Sequence, residues 1–517
     1  MFTEYDNCVN VSSEVERQIA LKFKRLTFYK EGFIMKKKLI ATLLCTAMVV
    51  ASLAGCGSKE AASSDAPAAE AAADEAAPAD DAAAEEAPAE EAPAEVEAVV
   101  SSYGDENGTK LEFWTFVDAH AAFFGAMTEK WNEANPDRTI YLTTSTYPYA
   151  DMHTKYLMSL QAGTGAPDLC DVEVGQFPNV VAGLDTWLVP INDYAAPYLD
   201  TMVTARMETY AGADGNYYAG PYHVGATVMY YNLAVLEEYG ITQADIDAVV
   251  TWADYEALGK KYVEARGEEG KYWTSVDTGG TDWLWLSMAE CGDDWTGGFE
   301  GPANVQLDSV ANMLKMQQRW LADGIAMISP DGHVDLEAGF QNILDQGIVS
   351  FPKAMWYMSR FMNYMPEESG NWYIAKCPVW EEGQKCSVGI GGTGTVTAQQ
   401  SANKELAAEF AAWAKMSAEG ERYIWDILGF DVCNTAYWTD PDFAQNPDNA
   451  YNAYFRNKPY EVLADIGLEN IGKISVVAVS PIVNDQINLV TLNAILEEGA
   501  DVDAALQEAQ DAIDLEQ

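Results

Sequence analysis

The stretch LEFWTFVDAHAAFFGAMTEKWNEANPDRTIYLTTSTY, residues 111–147, reads as strand, helix, strand. LEFWTF has the aromatic, extended pattern of a strand, and AAFFGAMTEKWNEANPD places apolar residues at helical spacing until Asn135-Pro136 stops it. RTIYLTTSTY returns to a β-branched run. Moving outward, DMHTKYLMSLQAG (151–163) repeats the helical spacing and ends at Gly163, and APDLCDVEV (166–174) is a third strand. This alternation predicts an α/β fold with a mostly parallel sheet flanked by helices, in which ligands collect at the carboxyl ends of the strands.

The stretch GIGGTGTV, residues 389–396, contains the spacing GxGxxG. A dinucleotide site needs a strand before the glycines and a helix opening directly on them. Here Thr395, Val396 and Thr397 continue as extended chain, and the next helix, LAAEFAAWAK, starts only after Ser401-Ala402-Asn403. No P-loop lysine accompanies the glycines. The motif is therefore read as part of a strand or a chain crossing.

The first hundred residues have a different character. Met35, Lys36, Lys37 and Lys38 precede an apolar run from Leu39 to Ala54, too short for a membrane span and typical of a secretory signal. Leu53-Ala54-Gly55-Cys56 resembles a lipobox, which implies cleavage before Cys56 and lipid on its thiol. Residues 1–34 are expected to lie upstream of the true start, residues 35–55 to be the signal, and residues 56–106 to form an acidic Ala/Glu/Pro tether with too few large apolar groups for a core.

The chain has 80 acidic and 30 basic residues, a formal charge of −50, which argues against nucleic-acid binding. Of its 8 cysteines, five lie in the folded part: Cys170, Cys291, Cys377, Cys386 and Cys433. Cys377 and Cys386 bracket PVWEEGQK and either pair across a hairpin or stand as separate thiols. His120, His153, His223 and His333 form no HExxH, so no metal or cofactor is expected.

FWTF (113–116), WNEANPD, LQAGTGAPDL, DGNYYAGPYHVGATVMYYN (214–232), TWADYEALGKKY, AMWYMSRFMNYMP (354–366) and GGTGTVTAQQSANKELAAEF together, in order, resemble the extracellular sugar-binding proteins of ATP-binding cassette importers. The resemblance runs from residue 110 to the end. It implies a two-lobed periplasmic-binding-protein-like fold: residues 107–221 and 391–433 as lobe 1, residues 222–390 and 434–517 as lobe 2, and a ligand cleft between. Crossings are expected at residues 222–230, at Gly389, Gly391, Gly392 and Gly394, and near residues 434–440. The branch it is most similar to handles arabinose, arabino-oligosaccharides or lactose. It further implies an ABC permease partner, a monomer held to the outer face of the cytoplasmic membrane through Cys56, and no catalytic residue.

A sugar presents hydroxyls and apolar C–H faces, so its site needs planar aromatics beside groups that donate and accept hydrogen bonds. The candidates past strand ends are Phe116, Asp118 and His120, then Glu173, Gln176 and Phe177, with Tyr222 and His223 at the first crossing. From the second lobe, Trp356, Tyr357 and Arg360 match a family segment whose aromatic residue stacks on sugar; Gly392, Thr393 and Trp438 complete the set. Trp131, Trp413 and the group Trp283, Trp285 and Trp295 are expected to pack in cores. Two rival readings are a secreted glycoside hydrolase, for which only the acidic pairs Asp293-Asp294 and Glu381-Glu382 speak, and the same fold binding a peptide or other solute.

Overall fold

The computed structural model describes residues 97–297 and 302–516. The calls on residues 1–34, on the signal at 35–55, on Cys56 and on the tether up to residue 96 lie outside these residues.

Two sheets organise the described chain. The first contains β1 (Val99–Gly104), β2 (Thr109–Thr115), β3 (Ile140–Thr146), β4 (Leu169–Glu173) and β5 (Ala219–Pro221). After β6 (Thr227–Asn232), β7 (Thr274–Val276), β8 (Ala326–Ile328), β9 (Ser350–Ala354), β10 (Trp372–Ala375) and β11 (Ser387–Val388), the chain returns to the first sheet as β12 (Thr393–Thr397); β13 is Ile471–Gly472. The strand orders are β1-β3-β2-β4-β12-β5 and β10-β6-β9, with the small pairs β7-β8 and β11-β13.

The opening stretch folds as its pattern dictates. The helix Asp118–Ala134 buries Ala121, Phe123, Phe124, Met127 and Trp131 at three- and four-residue spacing. It ends where Asn135 donates its N–H back to Trp131 O. Each buried phenylalanine contributes about 2 kcal/mol through removal of apolar surface from water. β2 runs parallel to β3 and to β4, as the strand–helix alternation requires.

Parallel pairing is less extensive than expected. β12 runs antiparallel to both β4 and β5, and the three-stranded sheet β10-β6-β9 is antiparallel throughout. The reason lies in chain direction: β12 enters the first sheet from the second half of the molecule, against the strands already there. A second correction concerns residues 97–106, whose composition reads as the end of the tether. Val99–Gly104 is an edge strand antiparallel to β3, fixed by Gly104 N–H donating to Glu129 Oε1 at 2.9 Å and by the Tyr103 ring packed on Gly125.

β6 is buried on both faces, so its sequence TVMYYN is apolar without alternation. Val228 and Tyr230 face a core with Phe351, Phe361 and Trp372, while Met229 and Tyr231 face another with Tyr255, Trp273 and Trp320. The chain passes from the first sheet to the second between Pro221 and Thr227 and returns between Val388 and Thr393.

Candidate functional site

The carboxyl ends of β2, β3, β4 and β5 lie at one edge of the first sheet, because Glu173 at the end of β4 pairs with Thr393, and Pro221 pairs with Gly394. In the second sheet the end of β9, Ala354, pairs with Thr227 at the start of β6. Both sets of strand ends thus meet the crossings, residues 222–226 and 389–392. Three successive carbonyls of the second crossing are held by different elements. Trp356 Nε1 donates to Ile390 O at 3.1 Å, Arg206 Nη2 to Gly391 O at 2.6 Å, and the Val174 N–H to Gly392 O at 2.9 Å.

On the side of the first sheet, Phe116 follows β2 and packs edge-on against Tyr149, ring centroids 5.1 Å apart. The hydroxyl of Tyr149 donates to Glu173 Oε2 at 3.2 Å, and the Gly175 N–H donates to the same oxygen at 2.6 Å. His153 Nδ1–H donates to Tyr149 O, and its Nε2 accepts the Glu173 N–H. Burial lowers the His153 pKa to about 4, so the ring is neutral and can accept. Burial also pushes Glu173 up to about 7, against the pull of the Gly175 and Tyr149 hydrogen bonds. Phe116, Gln176 and Glu173 are partly exposed and Asp118 and Tyr149 exposed, so this rim offers two rings and several polar groups to solvent.

A stability consequence follows for Glu173. Between its unfolded value, about 4.3, and its folded value of about 7, the unfolded chain is ionised while the folded one keeps the proton. Stability therefore falls as pH rises through that window. Glu173→Gln keeps an acceptor for Gly175 and removes this slope. Thermal unfolding at pH 5 and pH 8 should show the variant gaining on the natural chain at the higher pH; a difference independent of pH would contradict the assignment.

On the side of the second sheet, Trp356 follows β9, is partly exposed, and has the Arg360 guanidinium 5.5 Å from its ring centroid. Arg360 Nε is held by Asp335 Oδ1 at 2.8 Å. Lys353, buried beneath, pairs with Asp282 and lies 3.3 Å from His333 Nε2. Here an indole, a cation and a carboxylate gather at a strand end, as two rings and a carboxyl do at the other.

Other sequence candidates are placed differently. His120 and Tyr222 are buried and grouped on Asp171: His120 Nδ1 lies 2.8 Å from Asp171 Oδ2, and Tyr222 stacks on His120 with centroids 4.3 Å apart. His223 is buried, its Nδ1 3.9 Å from Asp431 Oδ1. Tyr357 is fully buried and donates its hydroxyl to Val334 O, and Trp438 is buried with Nε1 donating to Val432 O. Thr393 is buried, its carbonyl accepting from Lys415 Nζ at 3.1 Å. These six fill space behind the strand ends, since large rings after a strand can turn into either core. Phe177 is buried in the core that also holds Trp114 and Tyr156. Gly392 sits at φ 137°, where a Cβ would lie 2.2 Å from Arg206 Nη2. Gly392→Ala should cost about 1–3 kcal/mol in denaturant unfolding through this strain and clash; a cost under a few tenths of that would mean the crossing relaxes freely.

Cys377 and Cys386 are free thiols. The hairpin that would pair them does not form, because β10 joins β6 while β11 joins β13. Trp131, Trp283 and Trp295 are buried as expected, whereas Trp285 is partly exposed and reaches a cavity wall. The acidic pairs serve structure or solvent: Asp293 accepts from Ser309 Oγ, Asp294 from the Ser475 N–H, and Glu381 and Glu382 are exposed. Sequence reading missed Tyr149, Asp335 and Arg206. Arg206 had a signal, being a lone cation between two apolar positions in an acidic chain; Tyr149 and Asp335 had none beyond lying after strands.

Two α/β halves joined by crossings, with strand ends of both meeting at those crossings, define a two-lobed fold. The sequence profile of the bacterial extracellular solute-binding proteins matches residues 117–421, and the chain belongs to that family. It is 37% identical over 413 residues to the arabinooligosaccharide-binding protein of Halalkalibacterium halodurans, covering 79% of this chain and 90% of that one. It is 36% identical over 371 residues to the arabinooligosaccharide-binding protein of Bacillus subtilis, covering 71% and 82%. Among solved structures, the sugar-binding protein MalE from Xanthomonas citri superposes with a TM-score of 0.63 at 18% identity, over 79% of this chain and 97% of that one. A binding protein from B. animalis subsp. lactis in complex with β-1,6-galactobiose gives the same TM-score, identity and coverage.

Proposed function

We propose that this protein captures a neutral sugar of the arabino-oligosaccharide class and delivers it intact to an ABC permease. The observation that carries this reading is the 36–37% identity to two arabinooligosaccharide-binding proteins over more than two thirds of the chain. The chemistry of the half-sites agrees with it. Trp356 offers an apolar ring face to the C–H groups of a sugar, while Arg360, Glu173, Gln176 and Asp118 offer donors and acceptors to hydroxyls. Phe116 and Tyr149 supply a second aromatic edge. Residues 97–221 and 391–433 act as one lobe, and residues 222–390 and 434–517 as the other. The sugar favours the closed arrangement because only closure brings contacts from both, and the shift is limited by that difference in affinity.

The chain performs no chemistry on its ligand, acts as a monomer, and is held at the outer face of the membrane by lipid on Cys56. Thermal unfolding of the protein from residue 97 onward, against pentoses, hexoses and arabinan, galactan and lactose oligosaccharides, tests the reading. A ligand that binds only the folded state raises the midpoint as its concentration exceeds its dissociation constant. Arabino-oligosaccharides should give the largest rise and be recovered uncleaved. A rise with peptides alone, or release of reducing sugar, would refute it.

A further inference from the structure

The second crossing divides the space between the halves. A Cβ on Gly391 would face the Trp356 indole at 3.2 Å, whereas one on Gly392 would face Arg206 and Tyr210. Trp356 and its polar neighbours thus lie on one side, and Arg206 on the other. On the Arg206 side is a cavity of about 1040 Å³ lined by Phe177, Val181, Val203, Val224, Trp285 and the segment 471–479, among others. Trp356 and Arg360 are not part of its wall.

Two features of this wall are unusual. It is mostly aliphatic, with valines from both halves, which suits an acyl or aryl body better than a sugar ring. It also reverses the sign of the molecule. In a chain with 80 acidic and 30 basic residues, the cavity carries Arg206, Lys385 and Lys473 against one carboxylate, Glu208. Glu208 is paired with Lys473 at the surface, 3.6 Å apart. Arg206 is 8% exposed and uses two of its N–H groups on carbonyls, those of His223 and Gly391, at 3.2 and 2.6 Å. No carboxylate lies within salt-bridge distance of it among the described residues. Nearby Trp285 Nε1 is a buried donor without an acceptor. The Arg206 charge acts on the Glu173 and Asp431 carboxyls without an ion pair to either, and burying a donor unanswered, as at Trp285, costs about 1–3 kcal/mol.

We propose that this cavity is a second ligand site, separate from the sugar half-sites, for a small apolar molecule bearing one anionic group. The acyl or aryl body fills the valine-lined space and the acid group meets the guanidinium of Arg206. The proposal does not depend on the sugar reading, since the site shares neither Trp356 nor Arg360 with it.

The test is calorimetric titration of the purified protein with decanoate, and with decan-1-ol as its uncharged counterpart. Decanoate should bind with one-to-one saturation, at least tenfold more tightly than decanol. Val477→Trp, which puts an indole on the cavity wall, should abolish binding. Arg206→Gln should weaken decanoate at least tenfold and leave decanol unchanged, with Arg206→Lys recovering most of the loss. Should Arg206→Gln fail to fold, the decanol comparison and Val477→Trp still decide. Absence of saturable binding, equal affinity for decanol, or undiminished binding to Val477→Trp would each overturn the proposal.

Discussion

Asp171→Ala should destabilise the protein by about 3–5 kcal/mol, the cost of removing one partner from a buried charged network. Asp171 is fully buried and accepts from Thr115 Oγ1 at 2.9 Å, from Thr395 Oγ1 at 2.6 Å and from the Tyr222 hydroxyl at 3.3 Å, with His120 Nδ1 2.8 Å away. Lys415 Nζ donates to Thr395 Oγ1 at 3.1 Å and sits 3.4 Å from the Tyr222 ring centroid. Without the carboxylate, four donors lose their common acceptor and the buried Lys415 amine loses a nearby opposite charge. Burial alone would raise Asp171, but the His120 hydrogen bond and charge, with Lys415, hold it below its usual range. Its contribution to stability is therefore present above the ordinary aspartate value and is lost as pH falls through the lower folded one. Denaturant unfolding at pH 7 checks the magnitude, with Asp171→Asn falling between, since an amide accepts from Thr395 but cannot satisfy His120 as well. A loss of less than about 1 kcal/mol would show that the network is expendable.

Trp356→Ala should raise the sugar dissociation constant by roughly 30- to 1000-fold, the 2–4 kcal/mol expected when a central aromatic anchor is removed. Trp356 is the one candidate ring that is both partly exposed and hydrogen-bonded to the crossing, through Ile390 O. Trp356→Phe separates the two roles, because it keeps an apolar face and loses the indole N–H. Near-natural affinity in the phenylalanine variant assigns the effect to stacking; equal losses in both assign it to the position of the crossing. If Trp356→Ala binds within threefold of the natural protein, the sugar does not rest on this ring.

The fold was legible because the opening stretch changes pattern in turn: an aromatic extended run, helical spacing in Asp118–Ala134, then a β-branched run. The edge strand was not, since Val99–Gly104 looks like the end of an acidic tail, whereas the extended Thr395-Val396-Thr397 already marked β12 as a strand and only its antiparallel pairing with Glu173 was hidden. Among the candidates, Phe116, Glu173, Gln176, Trp356 and Arg360 stay partly exposed at or just after strand ends, as position after a strand suggests. His120, Tyr222 and Tyr357 occupy equivalent positions in sequence, yet face inward. Helical spacing after the strand decides this: His120 shares the buried face of its helix with Phe123, Phe124 and Met127. Tyr149 and Asp335 could be found only once their partners, Glu173 and Arg360, were in place.

The central claim is that the two halves close on a sugar across the crossings. Small-angle X-ray scattering of the protein from residue 97 onward, titrated with linear arabino-oligosaccharides, tests it most directly. The account predicts a radius of gyration that falls and saturates at one sugar per chain, with the sugar recovered intact and the change absent in Trp356→Ala. Saturable sugar binding with no compaction, or compaction that persists in Trp356→Ala, would contradict it.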